Sequence, residues 1–298
     1  MSGLAPQLAN SYRLHDVRLR QLATLVNDVV AVTAAEGDFA LKLYHRNRTP
    51  EAVEWEVNLL IHLHRREAPV VQPIAGRDGH LNRFEVAGQQ RIAVLFAWAP
   101  GSKPVPSWKT YLLLGEAAGR IHWAAEGFAP SATRENYDAA DLIDDQLRRM
   151  RNLLEQADRW RSVVALGERL KERLARTALD RGICHMDLTL DNVHLGEKLT
   201  VFDFDSAGLC WRAIEPWGVL RFSAAYFEAW VAGYRTVRPF STADEESVAA
   251  FAIIGDLGVV AWKLGVAESS RGISRLGPAD LPTVVDGWLD WEAARLGR

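Results

Sequence analysis

Residues 183–208 read I-C-H-M-D-L-T-L-D-N-V-H-L and then, after a short break, L-T-V-F-D-F-D-S-A-G. His185, Asp187, Asp191, Asn192, Asp203 and Asp205 lie in or beside short apolar runs that prefer burial. A carboxylate held in such surroundings needs a partner or a metal ion, because an unpaired buried charge is costly. Mg2+ takes oxygen ligands, and it binds through one or two protein groups together with substrate phosphates and water. The side-chain amide oxygen of Asn192 and the carboxylate of Asp203 are ligands of that kind. Asp187 is the candidate to orient an attacking hydroxyl and accept its proton. Asp205 is either a second metal ligand or a structural acceptor of backbone N–H groups. His185 reads as a structural hydrogen-bonding residue, and Asp191 as a solvated loop residue.

The order and spacing add a second argument. In the pattern H-R-D-x-x-x-x-N the Asp serves as base and the Asn binds metal. The stretch H-M-D-L-T-L-D-N keeps that spacing, and D-F-D puts Asp203 where the Asp of D-F-G stands. Both stretches are similar to the H-G-D-x-x-x-x-N and D-F-D segments of the aminoglycoside phosphotransferase and choline kinase family. The resemblance spans most of the chain, and these two segments are its sharp part. It implies an α+β, protein-kinase-like bilobal fold, with a small β-rich N-lobe and a larger, mainly helical C-lobe. It also implies an ATP- and Mg2+-dependent phosphotransferase acting on a hydroxyl of a small molecule, such as an aminoglycoside, another antibiotic or an amino alcohol. The segment F-E-A-W-V-A-G-Y-R-T-V-R-P-F-S resembles the homoserine kinase and bacterial stress protein kinase subgroups as well. A homoserine-kinase-like enzyme or a Ser/Thr protein kinase therefore stays as an alternative.

Further parts follow from the same resemblance. Lys42, in A-L-K-L-Y, sits in a strand whose neighbours prefer burial, so its amine needs an anion. The other reading is a lysine whose head snorkels to solvent. The matching family lysine binds ATP phosphates and pairs with a helix glutamate. Glu56, in E-V-N-L-L, fits that glutamate; Glu54 competes, and helix phase does not separate them. The run V-L-F-A-W-A-P-G resembles the strand and hinge that would bring backbone groups near Phe96, Ala97 and Trp98 to an adenine edge. His122, in G-E-A-A-G-R-I-H-W-A, matches a helix histidine with a structural role. The glycine-rich phosphate loop is missing, and Leu25-Val26-Asn27-Asp28 stands there instead. Asn27 and nearby backbone N–H groups are its candidate phosphate contacts. That departure keeps a non-catalytic nucleotide-binding regulator as a further alternative. Met186 replaces the usual Gly of the motif, and Glu215 replaces a common Asp.

These residues need elements to hold them. Residues 18–34 and 39–43 read as strands, with Glu36-Gly37-Asp38 as a turn. Thr49 and Pro50 mark a helix start, with Val53, Val57, Leu60, Ile61 and Leu63 at helical spacing. Pro69 is read as its stop. Residues 91–96 read as a strand, and Pro100-Gly101-Ser102-Lys103-Pro104 as a break. The lobes are placed at 1–98, nucleotide-binding, and 99–298, catalytic and acceptor-binding. Helical spacing covers 111–125, 139–156 and 163–179, and residues 183–185 and 199–204 read as short strands. Beyond Glu215 the pattern is helical again.

The helical region holds Trp211, Trp217, Trp230, Trp262, Tyr226, Tyr234, Glu228 and Asp256, and the chain has 11 tryptophans, a high share. Aromatic faces and carboxylates suit a cationic acceptor, and core packing is the other use of such rings. Asp256 and Trp262 are the leading acceptor contacts. Net charge is −3, which gives no support to nucleic-acid binding. The two cysteines form no C-x-x-C pair, which fits a reducing cytoplasm. Residues 1–10 lack the pattern of a secretion leader. The apolar run 251–260 is read as too short to cross a bilayer and is interrupted by Asp256.

Overall fold

The structure is a computed structural model and describes residues 3–22, 24, 26–129, 136–266 and 276–297. Leu25, in the stretch that replaces the glycine loop, lies outside the described residues. In chain order the main elements are α1 (Leu4–Tyr12), β1 (Arg18–Gln21), β2 (Asp28–Ala34), β3 (Gly37–Leu43), α2 (Pro50–Arg65), β4 (Pro73–Ile74), β5 (Asn82–Val86) and β6 (Gln89–Ala97). Then come α3 (Trp108–Ala124), α4 (Asp145–Gln156), α5 (Trp160–Arg176), β7 (Arg181–Cys184), β8 (Val193–Leu195), β9 (Leu199–Val201) and β10 (Gly208–Trp211). The chain ends with α6 (Trp217–Phe222), α7 (Ala224–Arg235), α8 (Thr242–Val266) and α9 (Leu281–Arg295).

The chain divides into two compact units. One is Met1–Pro104 with Ala124–Arg134 and Leu190–Ser206; the other is Val105–Trp123 with Glu135–Thr189 and Ala207–Arg298. The division therefore differs from a single cut after Trp98, because two later segments join the first unit. Backbone hydrogen bonds explain one of them. Val71 N–H donates to Val201, Val201 N–H donates to Pro69, and Ser102 and Leu195 exchange bonds in both directions. Side chains tie in the other: His62 Nε2 lies 2.9 Å from the Ala124 carbonyl, and Arg66 donates to the Glu126 carbonyl at 2.6 Å.

The first unit is built on an antiparallel sheet of order β1-β2-β3-β6-β4, with β5 also paired to β6. Residues 18–34 make two of its strands, not one. Alternation decides the faces. Val30, Val32, Leu41, Leu43, Phe84, Ala93 and Leu95 pack with Leu4 and Leu8 of α1. Lys42, between Leu41 and Leu43, points to the opposite face. Helix α2 starts as expected, with Thr49 capping Ala52 N–H at 3.3 Å and Pro50 in the first turn. It ends at Arg65, ahead of Pro69, and Glu67 (φ 60) turns the chain away. The expected strand 199–204 stops at Val201, because Asp203 takes φ 66 and a short turn follows at Phe204–Ser206.

The second unit is mainly helical, with β7 and β10 paired antiparallel, Cys184 opposite Gly208. Helices α3 and α7 meet backbone to backbone. A Cβ on Gly115 would stand 1.9 Å from the Trp230 carbonyl oxygen, and one on Gly233 would stand 1.9 Å from that of Leu112. The apolar run 251–260 belongs to α8, which is long and apolar enough to cross a membrane by length and composition. The run itself is short, and the helix that contains it extends past it on both sides. Its side chains are nonetheless packed inside the protein: Val248, Ala250, Phe251, Ala252, Ile253 and Leu257 are fully buried. It serves as the core helix of its unit.

Candidate active site

In the first unit, β3 and α2 bring Lys42 and Glu56 together, with Nζ 3.1 Å from Oε1. Glu56 is buried and Glu54 is exposed, so the fold resolves what helix phase left open. Lys42 also donates to Asp203 Oδ1 at 2.7 Å, and Asp205 Oδ1 lies 3.8 Å away. Burial alone would lower the Lys42 pKa, but Asp203 and Glu56 outweigh it and hold the ammonium well above its ordinary value. Burial raises the Glu56 carboxyl, and Lys42 only partly offsets this.

Asp205 is engaged from several sides. Asn27 Nδ2 donates to it at 3.1 Å, and Arg48 pairs with it at 3.1 Å. Burial pushes its pKa up, yet Lys42 and Arg48 together bring it below the usual range. The Asn27 amide oxygen accepts from His45 N–H at 2.9 Å. Both ends of the Asn27 side chain are therefore used inside the protein. The expected phosphate contact at Asn27 accordingly narrows to its backbone and its second amide hydrogen. The hinge expectation narrows too. Ala97 N–H donates to the Gln72 carbonyl and Trp98 N–H to that of Asp38, and Phe96 is buried in the sheet ladder. Those two N–H groups are not free to read an adenine edge.

The two expected metal ligands belong to the same unit. Phe202 N–H donates to the Asn192 carbonyl at 3.0 Å, at the end of the β8–β9 hairpin where Val193 pairs with Val201. This bond ties the backbone of Asn192 to the residue before Asp203. Asn192 is buried, and the Asp203 side chain is 43% exposed. Asp191, expected to be solvated, is exposed and pairs with Lys103.

In the second unit, β7 leads into His185 and Asp187. Asp187 is exposed, and its N–H donates to His185 Nδ1 at 3.3 Å. Met186 holds φ 69, a left-handed conformation that favours glycine, so the motif's usual Gly has a backbone reason. The loop is anchored from below by Glu215, which accepts from His185 N–H at 2.5 Å and lies 3.4 Å from His122 Nε2. His122 Nδ1 lies 2.8 Å from the Tyr234 hydroxyl. Burial opposes the Glu215 charge, but His122 and the His185 N–H outweigh it and lower its pKa. His122 itself is lowered by burial. Cys184 completes a buried cluster of ligand types with these two, within 4.8 Å, but burial pushes its thiol well up. His122, Tyr234 and Glu215 form a hydrogen-bond network that fixes the Asp187 loop through His185 N–H, and Glu215 is its residue that sequence reading left without a role.

The expected acceptor residues separate in the structure. Trp230 and Tyr234 are fully buried and belong to the core. Tyr226 stacks on Tyr111 and Phe222, Trp262 is partly exposed on α8, and Glu228 is exposed on α7. Asp256 is held by Arg221 at 2.5 Å, a partner that sequence reading missed because α6 and α8 are far apart in the chain. Burial raises the Asp256 carboxyl above its ordinary value in spite of Arg221. A purely cationic acceptor would thus meet Arg221 as well as Asp256.

Comparisons with known proteins bear on the family and the fold. The phosphotransferase enzyme family matches residues 19–251. A homoserine kinase of Acidiphilium cryptum is 32% identical over 247 residues, covering 74% of this chain and 72% of the relative. Among solved structures, a microcompartment-associated aminopropanol kinase matches with TM-score 0.78 at 22% identity, over 100% of this chain and 99% of that one. An amicoumacin kinase in complex with AMP-PNP and Ca2+ matches with TM-score 0.76 at 18% identity, over 97% and 93%. These structural likenesses establish the fold, which is the kinase-like α+β fold expected from the motifs. With the family match running from β1 into α8 on that fold, the chain belongs to the phosphotransferase enzyme family and is an enzyme of phosphoryl transfer.

Proposed function

We propose that the protein transfers the γ-phosphoryl group of ATP to a hydroxyl of a small molecule, with Mg2+ as the divalent ion, in the cytoplasm. The observation that carries this is the position of Lys42, held on one side by buried Glu56 and on the other by Asp203. A lysine held this way is a fixed positive point for phosphate. The donor set also fits a hard cation. Glu56, Asp203 and Asp205 face Lys42 and Arg48, so carboxylates outnumber cations around these groups. Asn192 and Asp203 would hold the ion, which supplies charge neutralisation on the phosphates. Glu56, lacking solvent, keeps Lys42 in place.

Asp187 is assigned to the acceptor. Its exposed carboxylate orients the hydroxyl and accepts its proton as the acceptor oxygen bonds to the γ-phosphorus. The bond from that phosphorus to the β,γ-bridging oxygen breaks, and its electron pair leaves with ADP. The protein's contribution is positioning and fixed charge. Similarity to an aminopropanol kinase, an amicoumacin kinase and a homoserine kinase supports a small hydroxylated acceptor over a protein. ADP release by purified protein with Mg2+, against amino alcohols, hydroxy amino acids, hydroxylated antibiotics and a generic protein, tests the reading. Acceptor-dependent ADP release with a small molecule supports it; label transferred only to protein, or nucleotide binding with no turnover on any acceptor, contradicts it.

A further inference from the structure

The end of α6 carries a pair of opposite charges that the reaction above does not use. Helix α6 begins just beyond Glu215, which is bonded to the N–H of His185 in the Asp187 loop. The start of this helix is therefore tied to that loop within one unit. Trp217 and Arg221 lie one turn apart on α6, about 6 Å along its axis. Trp217 lies against α8, where a Cβ on Gly255 would be 2.4 Å from its ring. The next residue of α8 is Asp256, which pairs with Arg221 at 2.5 Å. The Arg221 guanidinium also lies 4.7 Å from the ring centre of Trp291, and Trp288 hydrogen-bonds Asp256. A Cβ on Gly218, three residues before Arg221 on the same helix, would meet nothing within 4 Å.

An ion pair in this setting is a poor structural device. Pairs at the surface contribute little, and desolvated ones often cost as much as they return. Here the side chains are 31% and 22% exposed, so each is largely desolvated yet still reachable. The Trp291 ring packs on the guanidinium side of the pair. Such an arrangement suits a ligand that presents both signs, because it can replace each internal partner with one of its own without changing the net charge.

We propose that Arg221 and Asp256 form the acceptor's zwitterion clamp, Arg221 taking the carboxylate and Asp256 the ammonium of a small hydroxy amino acid. This rests on the phosphotransferase reading above and names its substrate class. Arg221 supplies a planar fork that matches a carboxylate with two parallel bonds. Asp256 pairs with the ammonium.

The test is a matched set: homoserine, its decarboxylated analogue aminopropanol and its deaminated analogue hydroxybutanoate. Binding of each to the full chain is measured by calorimetry, and phosphorylation of each is followed separately. Homoserine is expected to bind about tenfold or more tighter than either analogue, the scale of one charge-assisted pair. Arg221→Met should weaken homoserine and hydroxybutanoate by about tenfold and leave aminopropanol unchanged. Arg221→Lys, which keeps the charge and loses the fork, should fall between and guards against a misfolded Met variant. Aminopropanol binding as tightly as homoserine, all compounds weakened alike by Arg221→Met, or no binding by any of the set overturns the clamp. Selective binding of homoserine without phosphorylation leaves the clamp standing and counts against the phosphotransfer reading; unselective phosphorylation of the amino alcohol does the reverse.

Discussion

Lys42 Nζ lies 3.1 Å from Glu56 Oε1, with the two side chains 7% and 2% exposed. At that depth neither charge is tolerable alone, so each residue requires the other. Lys42→Met should therefore destabilise the fold by about 3–5 kcal/mol, the cost of breaking a buried pair. Part of that is recovered as Glu56, already shifted upward, takes a proton. Replacing both, Lys42→Met with Glu56→Gln, should restore most of the stability and none of the nucleotide affinity. Urea unfolding beside a nucleotide titration reads both. Affinity that returns together with stability would separate Lys42 from phosphate binding.

The Glu215 carboxyl is held below its ordinary value, chiefly against burial, by His122 and the His185 N–H. An acid depressed in the folded state stabilises the protein above its unfolded pKa, and that contribution disappears as pH falls through the depressed value. Asp205 acts in the same direction. Glu215→Gln should thus lower Tm most near neutral pH, and the gap to wild type should close as pH falls through and below the ordinary carboxylate range. Melting curves across that window check the sign; a gap that stays constant with pH would show that charge is not what the residue contributes.

Close backbone contact between α3 and α7 gives a purely steric prediction. Gly115→Ala puts a methyl group where the Trp230 carbonyl oxygen stands, 1.9 Å away. The helices must separate, at a cost of about 3 kcal/mol or more. Gly287→Ala on α9 meets nothing within 4 Å and should stabilise by about 0.5–1 kcal/mol through helix propensity alone. Thermal unfolding of the two variants separates contact from propensity.

Thr49 caps α2, the helix that carries Glu56, through Ala52 N–H. Thr49→Ala should cost about 1 kcal/mol. Because the cap lies at the helix start and Glu56 is buried further along, nucleotide affinity should change little. A large loss of affinity with small loss of stability would show that the first turn of α2 itself positions Glu56.

What could be read from sequence followed the range of the interaction. Asp187, Asn192 and Asp203 are close in the chain, so their spacing alone was enough to raise the expectation of metal and hydroxyl chemistry. The start of α2 was legible for the same reason, since a cap and a proline act locally. Glu56 and Glu54 could not be separated, because which of them is buried depends on how α2 packs on β3. Arg221 was invisible, since its partner Asp256 lies on a different helix. The commitment of Asn27 to His45 and Asp205 was hidden by the same distance in sequence. The full extent of α8 was not legible from its apolar run, because the residues that extend it on both sides carry a weaker apolar pattern.

The role of Asp187 is tested by the rate of acceptor-dependent ADP formation, with Mg2+, by the wild-type protein and by Asp187→Asn, with nucleotide affinity measured on the same samples. Turnover is expected to fall by about a hundredfold or more, the scale of a lost general base, while nucleotide affinity stays within about twofold. Turnover that survives the substitution would contradict the role of Asp187 and, with it, the reading of the H-M-D-L-T-L-D-N stretch as the catalytic segment.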